Sequence, residues 1–93
     1  MLEKEIEAKV VKYAKDHGIL TYKFVSPNNR GVPDRIFLKD GYTLFIEFKS
    51  ARGQCTELQK REHQRIWDVG HKVFVVHDYK AAVELLHIYL PFS

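Results

Sequence analysis

Two apolar runs separated by Lys39-Asp40-Gly41 set the strongest constraint on this chain. The first reads Arg35-Ile36-Phe37-Leu38; the second extends from Tyr42 to Lys49. Asp-Gly between such runs predicts a β-hairpin, because both residues accept the positive φ angles that a tight turn demands. Period-two alternation then sorts the second run: Glu47 and Lys49 share one face, Ile46 and Phe48 the other. Asp34 opens the first run after Pro33, whose ring fixes its own φ and biases Val32 toward extended backbone. Pairing the strands carries Asp34 toward Glu47. Two carboxylates and a lysine are therefore expected to converge at the edge of an apolar sheet.

An unpaired carboxylate in apolar surroundings takes up a proton sooner than it stays charged. A second carboxylate nearby compounds that cost unless a cation lies between the two. Oxygen ligands of this kind suit a hard divalent ion, Mg²⁺ or Mn²⁺, which keeps several of its waters. Its open positions can take a phosphate and an attacking water. The residues also permit a plainer account, in which Glu47 and Lys49 form a surface ion pair and Asp34 merely starts a strand. On residue pattern alone the ion pair is the simpler of the two.

Pro33-Asp34, a hairpin and Glu47-Phe48-Lys49, in that order, resemble the signature of PD-(D/E)xK nucleases. Gly31-Val32-Pro33-Asp34, Glu47-x-Lys49 and Thr56-x-x-Gln59 together resemble its VRR-NUC branch, and with the flanking helices the match spans roughly the whole chain. The resemblance implies a metal, Mg²⁺ or Mn²⁺, held by Asp34, Glu47 and the Phe48 carbonyl. Lys49 would position the water or neutralise charge on the phosphate. An acidic residue of the first helix, Glu3 or Glu7, would assist, and Gln59 would act in the site. The same resemblance implies a restriction-endonuclease-like core. For a domain of this size it implies a homodimer that cuts branched DNA at four-way (Holliday) junctions. A flap or nicking nuclease with the same residues is one alternative; a non-catalytic nucleic-acid-binding module is another.

Ninety-three residues suffice for a single domain spanning 1–93, with one core and no separate recognition module. Apolar content of 45% with 13% aromatics excludes disorder. Fifteen basic against twelve acidic residues give net +3, a bias that permits nucleic-acid binding without demanding it. Cys55 is the lone cysteine, so no internal disulfide and no zinc cluster can form. The charged start, Met1-Leu2-Glu3-Lys4-Glu5, does not read as a signal peptide, and no run is long enough to span a membrane. A reducing, cytoplasmic setting is expected, with no membrane partner and no small-molecule cofactor beyond the metal.

In chain order, Leu2, Ile6, Val10, Tyr13 and Ala14 recur at helical spacing to about His17, and Gly18 is placed to end the helix. Glu3 and Glu7 border that stripe one turn apart. Pairing with lysines, or favouring the helix N-terminus, would explain them equally well. Residues Ile19 to Val25 read as a strand in which Leu20, Tyr22 and Phe24 alternate with Thr21 and Lys23. The turn-rich Ser26–Gly31 loop would hang Asn29 and Arg30 beside Asp34, and the Ser50–Cys55 loop would add Arg52. Lys23 and Arg35 complete the candidates for gripping a phosphate backbone, although alternation turns Arg35 away from Asp34.

Thr56-x-x-Gln59 has capping-box spacing, which gives Gln59 a structural role alongside any part in the site. The helix it starts would run to about Val69, with Leu58, Ile66 and Val69 inward and Lys60, Arg61, Glu62 and Arg65 outward. His63 and His71 are expected at the surface. Lys72 to His77 is β-branched and apolar, as for a strand interior to the sheet. Asp78 can cap a last helix from Tyr79 to about Leu90, stopped by Pro91. Its apolar residues exceed one stripe, which fits deep burial or an exposed partner surface. The whole reads as an α/β fold of order α-β-β-β-α-β-α, a mixed sheet flanked by helices.

Overall fold

The computed structural model describes residues 1–90. Its elements follow the predicted order: α1 (Glu3–Asp16), β1 (Leu20–Lys23), β2 (Arg35–Lys39), β3 (Tyr42–Phe48), α2 (Glu57–Asp68), β4 (Lys72–Val76) and α3 (Tyr79–Tyr89). The strands form one mixed sheet in the order β1-β2-β3-β4. β1, β2 and β3 pair antiparallel, and β4 returns parallel to β3 after the α2 crossover. The hairpin closes through Asp40 (φ 49°) and Gly41 (φ 87°), with Lys39 opposite Tyr42. Two successive positive φ values match the right-handed twist of the strands they join.

Alternation gives the sheet two unlike faces. Phe37, Leu44, Ile46, Phe48 and Val76 point to the side of α1 and α3, where Ile6, Val10, Ala14, Ala82, Leu86 and Leu90 complete the core. Burying each large side chain of this set contributes about 1.5–3 kcal/mol. Truncating Phe37 to alanine would cost about 3–5 kcal/mol through the cavity left behind. The other face carries Glu47, and α2 lies over its β3–β4 half. Among the described residues no helix is long and apolar enough to cross a membrane.

Several local expectations are corrected by packing. β4 is an edge strand of the described sheet and bonds to β3 alone. Its apolar run reflects cover on both faces: Val73 and Val76 are buried on opposite sides, while Val75 remains partly open. β1 is shorter than the apolar run containing it. Leu20 and Tyr22 are exposed on the half-face that α2 leaves bare, whereas Thr21 turns inward and donates its hydroxyl to Ile36 O at 2.9 Å.

In α2, Leu58 is 38% and Val69 is 73% exposed, so neither is an inward residue. The buried position is His63, at 7%, and Ile66 is half-buried. The helix is turned so that the Gln59–His63 line meets the sheet, and a surface histidine becomes an interior one. In α3, Ala82, Leu86 and Leu90 are buried while Val83, Leu85 and Tyr89 are half-buried, leaving Ile88 as the exposed large apolar side chain. Packing therefore accounts for most of its apolar excess. Pro91, expected to end the helix, lies outside the described residues.

Candidate active site

Asp34 lies between buried Pro33 and the first residue of β2, and its Oδ2 accepts the Phe48 N–H at 2.8 Å. That bond ties the start of one hairpin strand to the end of the other. Lys49 N–H donates to Val76 O at 2.9 Å, which extends the β3–β4 ladder and fixes the backbone after Glu47. The Asp34 and Glu47 carboxyls consequently meet on the α2 side of the sheet. Glu47 is only 3% exposed. Its Oε2 receives Gln59 Nε2 at 3.3 Å and lies 3.4 Å from Lys49 Nζ. Its Oε1 is buried without a hydrogen-bond partner and faces His63 Nε2, also buried and unpartnered, at 3.9 Å.

The electrostatics follow from that crowding. Burial first, and the Asp34 charge second, push the Glu47 carboxyl up to about 7, against the opposing pull of Lys49. Burial, followed by the Lys49 charge, holds the His63 imidazole below its usual value. The free thiol of Cys55 is pushed up by burial and then by the Glu47 charge. Glu47 thus sits in a buried pocket where Lys49 does not offset burial and the Asp34 charge.

Gln59 serves two purposes. Its Oε1 accepts from Thr56 N–H at 2.9 Å while Gln59 N–H donates to Thr56 Oγ1 at 3.1 Å, a complete capping box. The remaining amide nitrogen reaches Glu47. Gly31 sets the approach of the preceding loop to this helix start. Its φ is +88°, and a Cβ there would lie 2.8 Å from Leu58 O and 3.0 Å from Gln59 Cα. Only a residue without a side chain lets the loop that aims Asp34 pass so close to α2.

Among the described residues no three His, Cys, Asp or Glu side chains are arranged to hold a metal ion by themselves. A metal would instead rest on Asp34, Glu47 and a main-chain carbonyl such as that of Phe48. Two carboxylates with a carbonyl form a donor set that suits Mg²⁺ or Mn²⁺. The unpartnered Glu47 Oε1 and the raised Glu47 pKa are both what a bound cation would relieve, so the residues fit the ion.

The remaining candidates are distributed around this centre. Glu3 is exposed on the first turn of α1. Glu7 reaches the sheet, where Oε2 accepts Arg35 Nε at 2.6 Å and lies 3.1 Å from Lys23 Nζ. Lys23 and Arg35 therefore face α1 and share one carboxylate, a structural task distinct from open backbone contact. Asn29 is exposed and bonds Ser26 Oγ, and Arg30 and Arg52 are exposed on their loops.

Sequence reasoning missed the burial of His63 beside Glu47, although it lies one helical turn after Gln59 and so shares its face. It also missed an open cleft of about 690 Å³ lined by Arg52, Lys60, His63, Trp67 and His77. No periodicity rule brings the Ser50–Cys55 loop against α2 and β4.

A mixed four-stranded sheet flanked by helices, with a carboxylate pair and lysine at its hairpin, defines a restriction-endonuclease-like fold. No family model matches the chain. A solved structure described as "VRR_NUC domain" is similar, with a TM-score of 0.83 and 29% identity, covering 94% of this chain and 97% of that one. A protein of Acyrthosiphon pisum secondary endosymbiont phage 1, described as "Putative nuclease p44", is 43% identical over 75 residues, 80% of this chain and 81% of the relative. The chain belongs to the VRR-NUC nuclease family.

Proposed function

We propose that this protein is a Mg²⁺- or Mn²⁺-dependent endonuclease that hydrolyses DNA phosphodiesters at four-way junctions as a homodimer. The observation that carries the catalytic reading is Glu47: a buried carboxylate beside Asp34, raised to about 7, with one oxygen unpartnered. A protein that only bound nucleic acid would gain nothing from gathering carboxylates where a phosphate must approach. Asp34, Glu47 and the Phe48 carbonyl would hold the ion. When bound, it would acidify a water and stabilise charge on the scissile phosphate.

The other residues act by position and charge. Lys49 Nζ, close to Glu47 Oε2, supplies a fixed positive charge for the crowded phosphate in the transition state. Gln59 holds the Glu47 carboxylate in one orientation. Arg30 and Arg52 grip the phosphate backbone on either side, contacts that position DNA without reading its sequence. Glu7 acts from a distance by holding Arg35, the residue after Asp34.

One site cuts one strand, so symmetric cleavage of a junction requires two, most economically in a two-fold dimer. The exposed Leu20, Tyr22 and Tyr42 offer apolar surface for a second copy. The test uses labelled four-way junction, 5′ flap and plain duplex with Mg²⁺, Mn²⁺ or EDTA, beside Lys49→Ala. Metal-dependent cutting of the junction by wild type alone supports the proposal. Cutting of flaps or duplex with the same dependence keeps the active site and overturns the junction preference. Binding without cutting overturns catalysis, and a strict monomer in gel filtration overturns the dimer.

A further inference from the structure

The donors around Glu47 are unevenly divided. Oε2 receives Gln59 Nε2 at 3.3 Å and lies 3.4 Å from Lys49 Nζ, while buried Oε1 receives nothing. His63 Nε2, equally buried and equally unpartnered, lies 3.9 Å from Oε1, while the Asp34 carboxylate also stands against the Glu47 carboxyl. Buried polar atoms in proteins are nearly always paired, and two such exceptions facing each other invite a common explanation. A side-chain movement of about 1 Å brings the pair to hydrogen-bonding distance.

The helix supplies the register. Gln59 and His63 are four residues apart, so they stand one above the other on the same face of α2. His63 is also the buried residue of this helix, at a position where a leucine would bury more apolar surface without a polar atom to satisfy. A histidine there is understandable if its ring nitrogen has work to do.

We propose that His63 is a positioning residue of the active site, donating its Nε2–H to Glu47 Oε1. The inference rests on the nuclease reading above. Glu47 is then held by two donors of one helix, Gln59 on one oxygen and His63 on the other. Asp34 is held in the same manner by the Phe48 N–H. Each carboxylate oxygen has two acceptor directions, so a donor on each still leaves room for a cation. The carboxylate pair is oriented before the ion arrives, and the ion meets little reorganisation.

Outer groups of this kind are worth about 10–100-fold in metal affinity or activity. His63→Leu keeps the volume and removes the donor; His63→Gln places an amide N–H near the reach of Nε2. Calorimetric Mg²⁺ binding without DNA, and junction cutting across Mg²⁺ concentrations, are measured on all three proteins. The expected result is Mg²⁺ affinity about 10–100-fold weaker in His63→Leu, with slower cutting at saturating metal, and substantial recovery in His63→Gln. Nitrogen-15 shifts of the His63 ring in the metal-free wild type should report a proton on Nε2.

Wild-type Mg²⁺ affinity and rate in His63→Leu overturns the proposal while leaving the nuclease reading intact. A ring proton on Nδ1 does the same, and that measurement stands even if the leucine variant fails to fold. A wild type that neither binds Mg²⁺ nor cuts overturns both.

Discussion

Gln59 joins Glu47 to the first turn of α2 with a single amide: Oε1 accepts Thr56 N–H at 2.9 Å and Nε2 donates to Glu47 Oε2 at 3.3 Å. Helix stability and carboxylate orientation therefore share one side chain, and substitution can separate them. Thr56→Ala removes the hydroxyl half of the cap and should cost about 1 kcal/mol in urea unfolding, with cleavage changed little. Gln59→Ala should cost a similar amount and slow cleavage about 10–100-fold. Equal activity in the two variants would reduce Gln59 to a cap.

Asp34, Glu47 and Lys49 should fail in different ways. Each of Asp34→Asn, Glu47→Gln and Lys49→Met is expected to abolish cleavage. Asp34→Asn and Glu47→Gln remove a negative ligand and should lose Mg²⁺ binding in calorimetry, whereas Lys49→Met should retain it. Loss of Mg²⁺ binding in Lys49→Met would assign the lysine to building the metal site instead of meeting the phosphate.

The protonation of Glu47 makes a signed prediction. Its carboxyl is raised from 4.5 to about 7 in the folded protein, so between those pH values the native state holds more protons than the unfolded chain. Its contribution to stability is full below the lower value and is lost as pH rises through the upper one. At about 1.4 kcal/mol per pKa unit the loss is on the order of 3 kcal/mol. Metal-free Glu47→Gln should therefore melt above wild type at pH 8, and the two should converge near pH 5. The depressed His63 pKa acts in the opposite sense, its contribution full above the ordinary value of about 6.5 and lost as pH falls from there through its lowered value, but it is common to both proteins. A wild type that melts above Glu47→Gln at pH 8 without metal would contradict the raised value.

Gly31 and Gly41 share a left-handed backbone but differ in their surroundings. Alanine at either position carries the positive-φ cost of about 1–2 kcal/mol. A Cβ at Gly41 meets nothing within 4 Å, whereas one at Gly31 lies 2.8 Å from Leu58 O. Gly31→Ala should thus destabilise more than Gly41→Ala in urea unfolding. It should also impair cleavage, because the loop that aims Asp34 must move away from Gln59. Equal losses in the two variants would remove Gly31 from the account of the site.

Much of the hairpin and the placement of its charged side chains was legible in the chain because the rules involved are local. Asp40-Gly41 selects its turn by φ alone, period-two alternation places Glu47 and Lys49 on one face, and Thr56-x-x-Gln59 states its cap within four residues. What remained open depended on which surfaces meet. Helical periodicity shows that Gln59 and His63 share a face, yet not that this face, and not the one bearing Leu58, docks on the sheet. An apolar run identifies β4 as covered without telling cover on two faces from neighbours on two edges. Glu7 finds Lys23 and Arg35 only once α1 lies across strands far from it in sequence. The sequence by itself determined the turn, the strand faces and the caps, all enforced by backbone sterics and neighbouring hydrogen bonds. Tertiary structure alone decided the burial of His63, the edge position of β4 and the partners of Glu7, because these follow from burying the largest total apolar area between elements.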